Sequence, residues 1–168
     1  MMDDKFRIIC LTGFMGCGKS SVGRELARRL GWRFTDLDEY IVKREGRSIP
    51  EIFRDGESAF RKAELAALRE YLDSETEESV LSLGGGTFTI EAARILTLSK
   101  TSTFFLRTRL ETIRKRLGEA DVSRPLFADA EQLYSCRLKY YEMAEHVVDT
   151  DELDPGQVAE NIIDILSS

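Results

Sequence analysis

Residues 13–20 read GFMGCGKS, and they follow a short apolar run, FRIICL, at residues 6–11. The first stretch fits the pattern G-x-x-x-x-G-K-[ST], and the apolar run before it is typical of a buried β-strand. In this pattern backbone N–H groups surround phosphate oxygens, the lysine reaches the outer phosphates and the hydroxyl binds Mg²⁺. The stretch therefore predicts a phosphate-binding loop between a strand and a helix, with Lys19 and Ser20 as its chemical groups.

The rest of the chain alternates between the two kinds of secondary structure. Strands are predicted at residues 6–11, 32–36, 79–83, 101–106 and 146–149. Helices are predicted at residues 19–30, at about 57–72 after the capping sequence SIPE (48–51), from the capping sequence TRLE (108–111) to 117, and at 155–166. Strands that alternate with helices require crossover connections, so the sequence predicts an α/β fold with a parallel sheet covered on both faces.

Composition limits the class of protein. The chain has 168 residues, of which 42% are hydrophobic and 32% charged, as expected for one globular domain over residues 1–168. Its net charge of −6 disfavours nucleic-acid binding, and no apolar run approaches the roughly 20 residues that span a bilayer. No secretory signal is visible, and three cysteines without a CxxC pair indicate a reducing compartment. We therefore expect a cytoplasmic monomer that binds neither nucleic acid nor a membrane.

Two aspartates stand at the end of the second predicted strand, in FTDLDEY (34–40). Residues i and i+2 of an extended chain share a face, so Asp36 and Asp38 are expected side by side. Ligands bind at the carboxyl ends of parallel strands, which places both aspartates near the phosphate loop. The third strand ends in LSLGGG without an acid, so Asp36 is predicted to hold Mg²⁺ through water and Asp38 to face the acceptor.

The remaining motifs favour a small kinase over other phosphate-loop proteins. A GTPase needs an Asn/Thr-Lys-x-Asp sequence, but the single asparagine is Asn161 and no T-K-x-D occurs. Large mechanical ATPases need a longer chain and an acid after an apolar strand. A kinase needs a lid that excludes water, and residues 118–131, with poor periodicity, are predicted to be a mobile lid. Arg124 in this segment is suited to stabilising the transferring phosphoryl group.

Several separated segments together resemble one family. They are GFMGCGKSSVGRELA, DLDEYI, GRSIPEIF, FRKAE, LSLGGGT, SRPLF and DPGQV, in this order between about residues 8 and 165. The sequence resembles the shikimate kinase family, which implies ATP-dependent phosphorylation of the 3-hydroxyl of shikimate with Mg²⁺ as cofactor. The resemblance also implies a three-layer phosphate-loop kinase fold with a five-stranded parallel sheet in the order 2-3-1-4-5.

The resemblance assigns roles to individual residues. Catalytic roles are implied for Lys19, Asp38 and Arg124, and magnesium binding for Ser20 and Asp36. Nucleotide binding is implied for Gly13, Gly16, Cys17, Gly18, Lys19, Ser20, Ser21, Arg116, Arg124 and Pro155. Shikimate binding is implied for Asp38, Arg61, Gly84, Gly85, Gly86 and Arg137, with residues 37–62 as the main acceptor-binding segment. Arg61 and Arg137 would bind the carboxylate, Asp38 the hydroxyls, and Arg116 would stack on adenine.

Some alternatives stay open at this point. Arg61 lies on an amphipathic helix, where a surface ion pair is the usual partner of an arginine. Arg114 or Lys115 could replace Arg116 on adenine, and either Asp36 or Asp38 could take the hydroxyl proton, with Asp38 favoured. A kinase for another carboxylated polyol, such as gluconate, and a non-catalytic nucleotide-binding protein are the alternative functions. The second should lack Lys19, Asp36 or Arg124, all of which are present.

Overall fold

The structure is a computed structural model that describes residues 7–117 and 129–168. The strands are β1 (Ile8–Thr12), β2 (Arg33–Asp36), β3 (Ser79–Ser82), β4 (Ser102–Arg107) and β5 (His146–Asp149). The helices are α1 (Lys19–Leu30), α2 (Leu37–Glu45), α3 (Ile49–Phe53), α4 (Glu57–Ser74), α5 (Glu91–Lys100), α6 (Leu110–Leu117), α7 (Ala130–Tyr141) and α8 (Pro155–Leu166). A 3₁₀ turn, Thr87–Thr89, follows β3. Arg124 and most of the predicted lid lie outside the described residues.

The five strands form one parallel sheet in the order β2-β3-β1-β4-β5. This confirms the predicted fold class and strand order. The first strand is central, and its side chains alternate between two apolar clusters. Ile8 and Cys10 face the cluster covered by α2, α4, α5 and α7, whereas Ile9 and Leu11 face the cluster covered by α1 and α8. The sheet is therefore buried on both faces, as crossover connections require.

Four helices, α2, α3, α5 and α7, were not predicted from the sequence. The first corrects the extended geometry expected for FTDLDEY, because β2 ends at Asp36 and α2 begins at Leu37. Asp36 is the N-cap, and its Oδ1 accepts a hydrogen bond from the N–H of Glu39 at 3.2 Å. The last residues assigned to the lid, 130 and 131, already belong to α7.

Of the two predicted capping sequences, the first is confirmed for the N-cap residue Ser48, although it begins the short α3 and not α4, and the second is wrong. Ser48 caps α3 by accepting from the N–H of Glu51 at 3.3 Å. By contrast, α6 begins at Leu110, and the hydroxyl of Thr108 is paired with that of Thr150 after β5. Within residues 7–117 and 129–168, none of the helices has the length and apolar character that crossing a bilayer would need.

Close packing between α1 and β2 determines where the two meet at the sheet edge. Gly23 of α1 lies against Phe34 of β2, and a Cβ at this glycine would lie 2.5 Å from the phenyl Cε2 and 3.4 Å from Leu11 Cδ1. Gly23 follows Ser20 by about one helical turn, and Phe34 precedes Asp36 by two residues. A side chain at Gly23 would therefore push the helix away from the strand that carries Asp36.

We predict that Gly23→Ala lowers the free energy of unfolding by about 1 kcal/mol. Alanine in a helix normally gains about 1 kcal/mol over glycine, but overpacking costs about 1–3 kcal/mol. Urea denaturation of both proteins measures the difference. The penalty should shrink in a Phe34→Leu background, because the phenyl ring is the main obstacle. A Gly23→Ala protein more stable than the wild type would contradict the packing argument.

Candidate active site

The carboxyl ends of β1, β2 and β3 border a cleft of about 300 Å³. Its walls come from the phosphate loop, the first turn of α1, the start of α2 and the glycine turn after β3. The lining residues are Met15, Gly16, Gly18, Lys19, Ser20, Ser21, Asp36, Asp38, Ser82, Leu83, Gly84 and Gly85. The structure thus brings together the phosphate loop and the acceptor residues that lie far apart in the sequence.

Lys19 is buried at the base of the phosphate loop. Its ammonium donates to the carbonyl oxygens of Gly13 at 2.6 Å and Phe14 at 3.2 Å, and lies 3.9 Å from Cys17 Sγ. The thiol is only 1% exposed, so Cys17 is a packed residue of the loop. The contacts hold the positive charge under the turn of backbone that would surround phosphate oxygens.

Ser20 and Asp36 meet where α1 begins and β2 ends. The Ser20 hydroxyl donates to Asp36 Oδ2 at 2.9 Å, and Oδ1 of the same carboxylate caps α2. A hydroxyl and a carboxylate are hard oxygen ligands, which suit Mg²⁺ that retains waters and phosphate oxygens. Within the described ranges, no three His, Cys, Asp or Glu side chains converge as a metal-binding group. The two oxygen ligands of Ser20 and Asp36 fit a magnesium ion whose other ligands are waters and phosphate oxygens.

Asp38 lies in the first turn of α2 and faces the same cleft as Asp36. The helix start, rather than an extended strand, brings the two carboxylates together. The pKa of Asp38 is raised, first because surrounding protein atoms displace water from its carboxylate and then because of the charges of Asp36 and Glu64. Lys19 and Arg61 oppose this shift only in part. Asp38 is thus a carboxylate whose basicity is increased by its surroundings, as proton acceptance requires.

Three charged side chains approach the three consecutive glycines after β3. A Cβ at Gly84 would lie 3.0 Å from Asp38 Oδ1, and one at Gly85 would lie 3.4 Å from Arg137 Nη1. A Cβ at Gly86 would overlap the guanidinium of Arg61. One carboxylate and two guanidiniums therefore converge on the glycine turn, and any residue larger than glycine would block their approach.

Arg61 is fixed by a buried carboxylate that the sequence prediction did not include. Glu64, 2% exposed, accepts from Arg61 Nη1 through Oε1 at 2.9 Å and from the Thr87 hydroxyl through Oε2 at 2.8 Å. Arg61 therefore has an ion pair that is directed into the protein, in addition to a longer contact of 3.8 Å with the exposed Glu57 of the same helix. The i, i+3 spacing of Arg61 and Glu64 in FRKAE was the available signal.

The glycine turn is also held from α7. Tyr141, a further residue not predicted for the site, donates its hydroxyl to the carbonyl of Gly85. Burial raises the pKa of this hydroxyl, which keeps it neutral and able to donate, while Arg137 beside it acts in the opposite direction. Arg137 precedes Tyr141 by one helical turn, so α7 brings both side chains to Gly85.

A second, smaller cavity of about 170 Å³ adjoins the phosphate loop. It is lined by Cys17, Gly18, Ser21, Val22, Arg116, Thr150, Leu153, Pro155 and Val158. Arg116 Nη1 donates to the carbonyl of Cys17 at 3.2 Å, and Nη2 donates to that of Thr150 at 3.3 Å. These in-plane bonds leave a face of the guanidinium free to stack on a flat ring.

His146 is a packing residue, since its ring stacks on Phe104 with centroids 4.8 Å apart. Arg124 lies outside the described residues, so its role stays a prediction from the sequence.

The phosphate loop lies beside a glycine turn on which a carboxylate and two guanidiniums converge, and this arrangement is that of a phosphate-loop kinase for a small anionic metabolite. Comparison with known proteins agrees: the shikimate kinase family matches residues 15–167. Shikimate kinase from Thermus thermophilus is 41% identical over 165 residues, which cover 94% of this chain and 89% of that protein. The chain belongs to the shikimate kinase family.

Solved structures support the same assignment. The structure titled shikimate kinase from Acinetobacter baumannii in complex with shikimate is 32% identical, with a TM-score of 0.86. The match covers 98% of this chain and 94% of that one. A gluconokinase from Sinorhizobium meliloti, covering 99% of this chain and 94% of its own, has a TM-score of 0.64 and 18% identity, so it shares the fold alone.

We predict that Glu64→Gln lowers the pKa of Asp38, because one of the negative charges that raise it is removed. Glu57→Gln is the matched control: Glu57 also faces Arg61, at 3.8 Å from Nε, but its side chain is 73% exposed. NMR titration of the Asp38 carboxyl group measures its pKa in both variants. Equal pKa shifts in the two variants would contradict the assigned geometry.

The raised pKa of Asp38 also affects the pH dependence of stability. The contribution of Asp38 to the free energy of unfolding is present at low pH and is lost as pH rises through the folded-state pKa.

Proposed function

We propose that the protein transfers the γ-phosphoryl group of ATP to the 3-hydroxyl of shikimate, giving shikimate 3-phosphate and ADP in the biosynthesis of chorismate and the aromatic amino acids. The observation that carries the proposal is the convergence of Asp38, Arg137 and Arg61 on the glycine turn. A Cβ at Gly85 would also lie 3.6 Å from the N–H nitrogen of Met15 in the phosphate loop. An acceptor bound in this turn would therefore lie next to the phosphates of a nucleotide bound in the loop.

The acceptor pocket matches the chemistry of shikimate, a small carboxylate with three hydroxyls. Arg61 and Arg137 would bind the carboxylate, since a guanidinium offers two parallel N–H groups to its oxygens. Asp38, which lies beside Gly84 at the start of the turn, would accept from the hydroxyls. Opposite ends of the ligand would thus be bound by opposite charges, which orients one hydroxyl towards the phosphate loop.

In the reaction, the 3-hydroxyl oxygen would form a bond to the γ-phosphorus while the bond from that phosphorus to the bridging oxygen of ADP breaks. Asp38 would receive the hydroxyl proton, and Lys19 would stabilise negative charge on the outer phosphates. A loose transition state asks little of a base, so positioning by Asp38 matters as much as its basicity. Arg124 is assigned to the transferring phosphoryl group from the sequence alone.

Ser20 and Asp36 are the residues that would hold magnesium. When bound with ATP, Mg²⁺ supplies positive charge to the phosphate oxygens. Arg116 would stack on adenine in the smaller cavity, and Pro155, at the start of α8, would border the other side. Lid closure over residues 118–131, a monomeric state and a cytoplasmic location remain predictions from the sequence.

We predict that the wild type releases ADP from ATP when shikimate is supplied, and not when gluconate replaces it. Lys19→Ala should lower kcat by roughly 10²- to 10³-fold, the scale of losing one charged stabiliser. A coupled ADP-release assay measures all cases. Lys62→Ala, at an exposed position on α4, is the control and should retain turnover. Turnover of gluconate alone would support the alternative kinase, and unimpaired Lys19→Ala would contradict the assigned site.

We predict that Arg61→Lys lowers kcat/KM for shikimate by about 10- to 100-fold, because one charge-assisted hydrogen bond of about 1.5–3 kcal/mol is lost. Arg69→Lys, exposed on the same helix, is the matched control. The KM for ATP should be unchanged. The penalty should shrink for a shikimate analogue without the carboxylate, and an equal penalty with that analogue would show that Arg61 does not bind this group.

A further inference from the structure

The loop between β5 and α8 forms one wall of the smaller cavity, and it is attached to the rest of the protein at both ends. At its far end, Asp154 caps α8 by accepting from the N–H of Gln157 at 2.8 Å, and the Gln157 side chain accepts from the N–H of Asp154 at 2.9 Å. At its near end, Asp151 reaches across to α6. Leu153 lies between Asp151 and Asp154, and Pro155 follows Asp154 directly. Both residues line the cavity, and their positions depend on these two attachments.

The carboxylate of Asp151 is placed at the beginning of α6. It accepts from the N–H of Arg109 at 3.3 and 3.4 Å and from the Thr112 hydroxyl at 2.5 Å. Arg109 Nε also lies 3.6 Å from Asp151 Oδ2, and the Asp151 side chain is only 16% exposed. A negative charge beside the N-terminus of a helix satisfies N–H groups that have no partner within the helix. Asp151 therefore caps α6 from a different part of the chain.

The same helix carries Arg116 in its last turn, and Arg116 returns to the loop through the carbonyl of Thr150. Two consecutive loop residues thus hold both ends of α6. Asp151 binds the first turn of the helix, and Thr150 binds Arg116 from the last turn. The next residue, Glu152, has a φ of 64°. A side chain in this left-handed region is strained, and such strain persists where neighbouring contacts determine the backbone.

We propose that Asp151 is a positioning residue for the nucleotide-base pocket. It attaches the first turn of α6 to the loop that borders the pocket, and so fixes where the guanidinium of Arg116 lies relative to Leu153 and Pro155. Asp151 itself does not line the cavity, and its effect on nucleotide binding passes through Arg116. The inference rests on the proposed function only in that the smaller cavity receives the base of the nucleotide.

The experiment measures binding of MgADP by calorimetry, without an acceptor. Asp151→Asn keeps the size of the side chain but removes the charge that faces the helix. We expect about three- to tenfold weaker binding, with kcat at saturating substrates and KM for shikimate unchanged. Asp149→Asn is the matched control: Asp149 lies two residues earlier and pairs with Arg107 at 2.6 and 2.9 Å, away from the cavity. It should bind MgADP as the wild type does.

A double mutant separates positioning from a general loss of structure. In an Arg116→Ala background, Asp151→Asn should weaken MgADP binding by less than twofold, because its effect is exerted through the missing arginine. Thr112→Val, which removes one partner of Asp151, should weaken binding in the same direction and serves if Asp151→Asn does not fold. Unchanged binding in both single variants, or an undiminished effect without Arg116, would overturn the proposal. Wild-type protein that binds MgADP but does not phosphorylate shikimate would reject the proposed function instead.

Discussion

The acceptor end of the cleft depends on the neutralisation of one buried carboxylate. This carboxylate is Glu64. Burying it in ionised form without partners would lower the free energy of unfolding by several kcal/mol, and removing one partner from a buried ion pair typically lowers it by about 3–5 kcal/mol. Its two oxygens are bound by Arg61 on the same helix and by Thr87 after β3. Satisfying this group therefore connects α4 to the glycine turn. The guanidinium of Arg61 is consequently fixed against Gly86, where a side chain would displace it.

The same arrangement leaves negative charge in excess around Asp38. Asp36 and Glu64 both raise its pKa, beyond the effect of the protein atoms that displace water from it. The ionised form of Asp38 is thus less favourable in the folded protein than in the unfolded chain, which costs stability but increases basicity. A magnesium ion at Ser20 and Asp36 would add positive charge nearby and relieve the repulsion.

The fold was predictable because its signals are local. The apolar runs, the helical spacing of residues 19–30 and the phosphate loop each lie in a short stretch, and alternation of strands and helices restricts the topology. The strand order and the family came from resemblance. Helix α2 was missed because FTDLDEY was interpreted as an extended end of β2, although Asp36 is a good N-cap residue. Thr108 was misassigned as a cap because its hydroxyl is bound across the sheet edge by Thr150, a contact between distant parts of the chain.

Candidate site residues were predictable from the sequence where they belong to a motif. Residues that only hold a motif residue or its backbone in place were not predictable. Glu64, Tyr141 and Asp151 touch other side chains or backbone rather than the cleft, so only tertiary structure gives them a role. The cations of the site are also held by protein groups before a ligand binds: Arg61 by Glu64, and Lys19 and Arg116 by backbone carbonyl oxygens. Immobilising a free side chain on binding costs about 0.5–1.5 kcal/mol, and this cost is reduced when protein partners have already ordered it. A ligand must then place its acceptors where the cations already lie, so the supporting residues determine specificity although they bind nothing themselves.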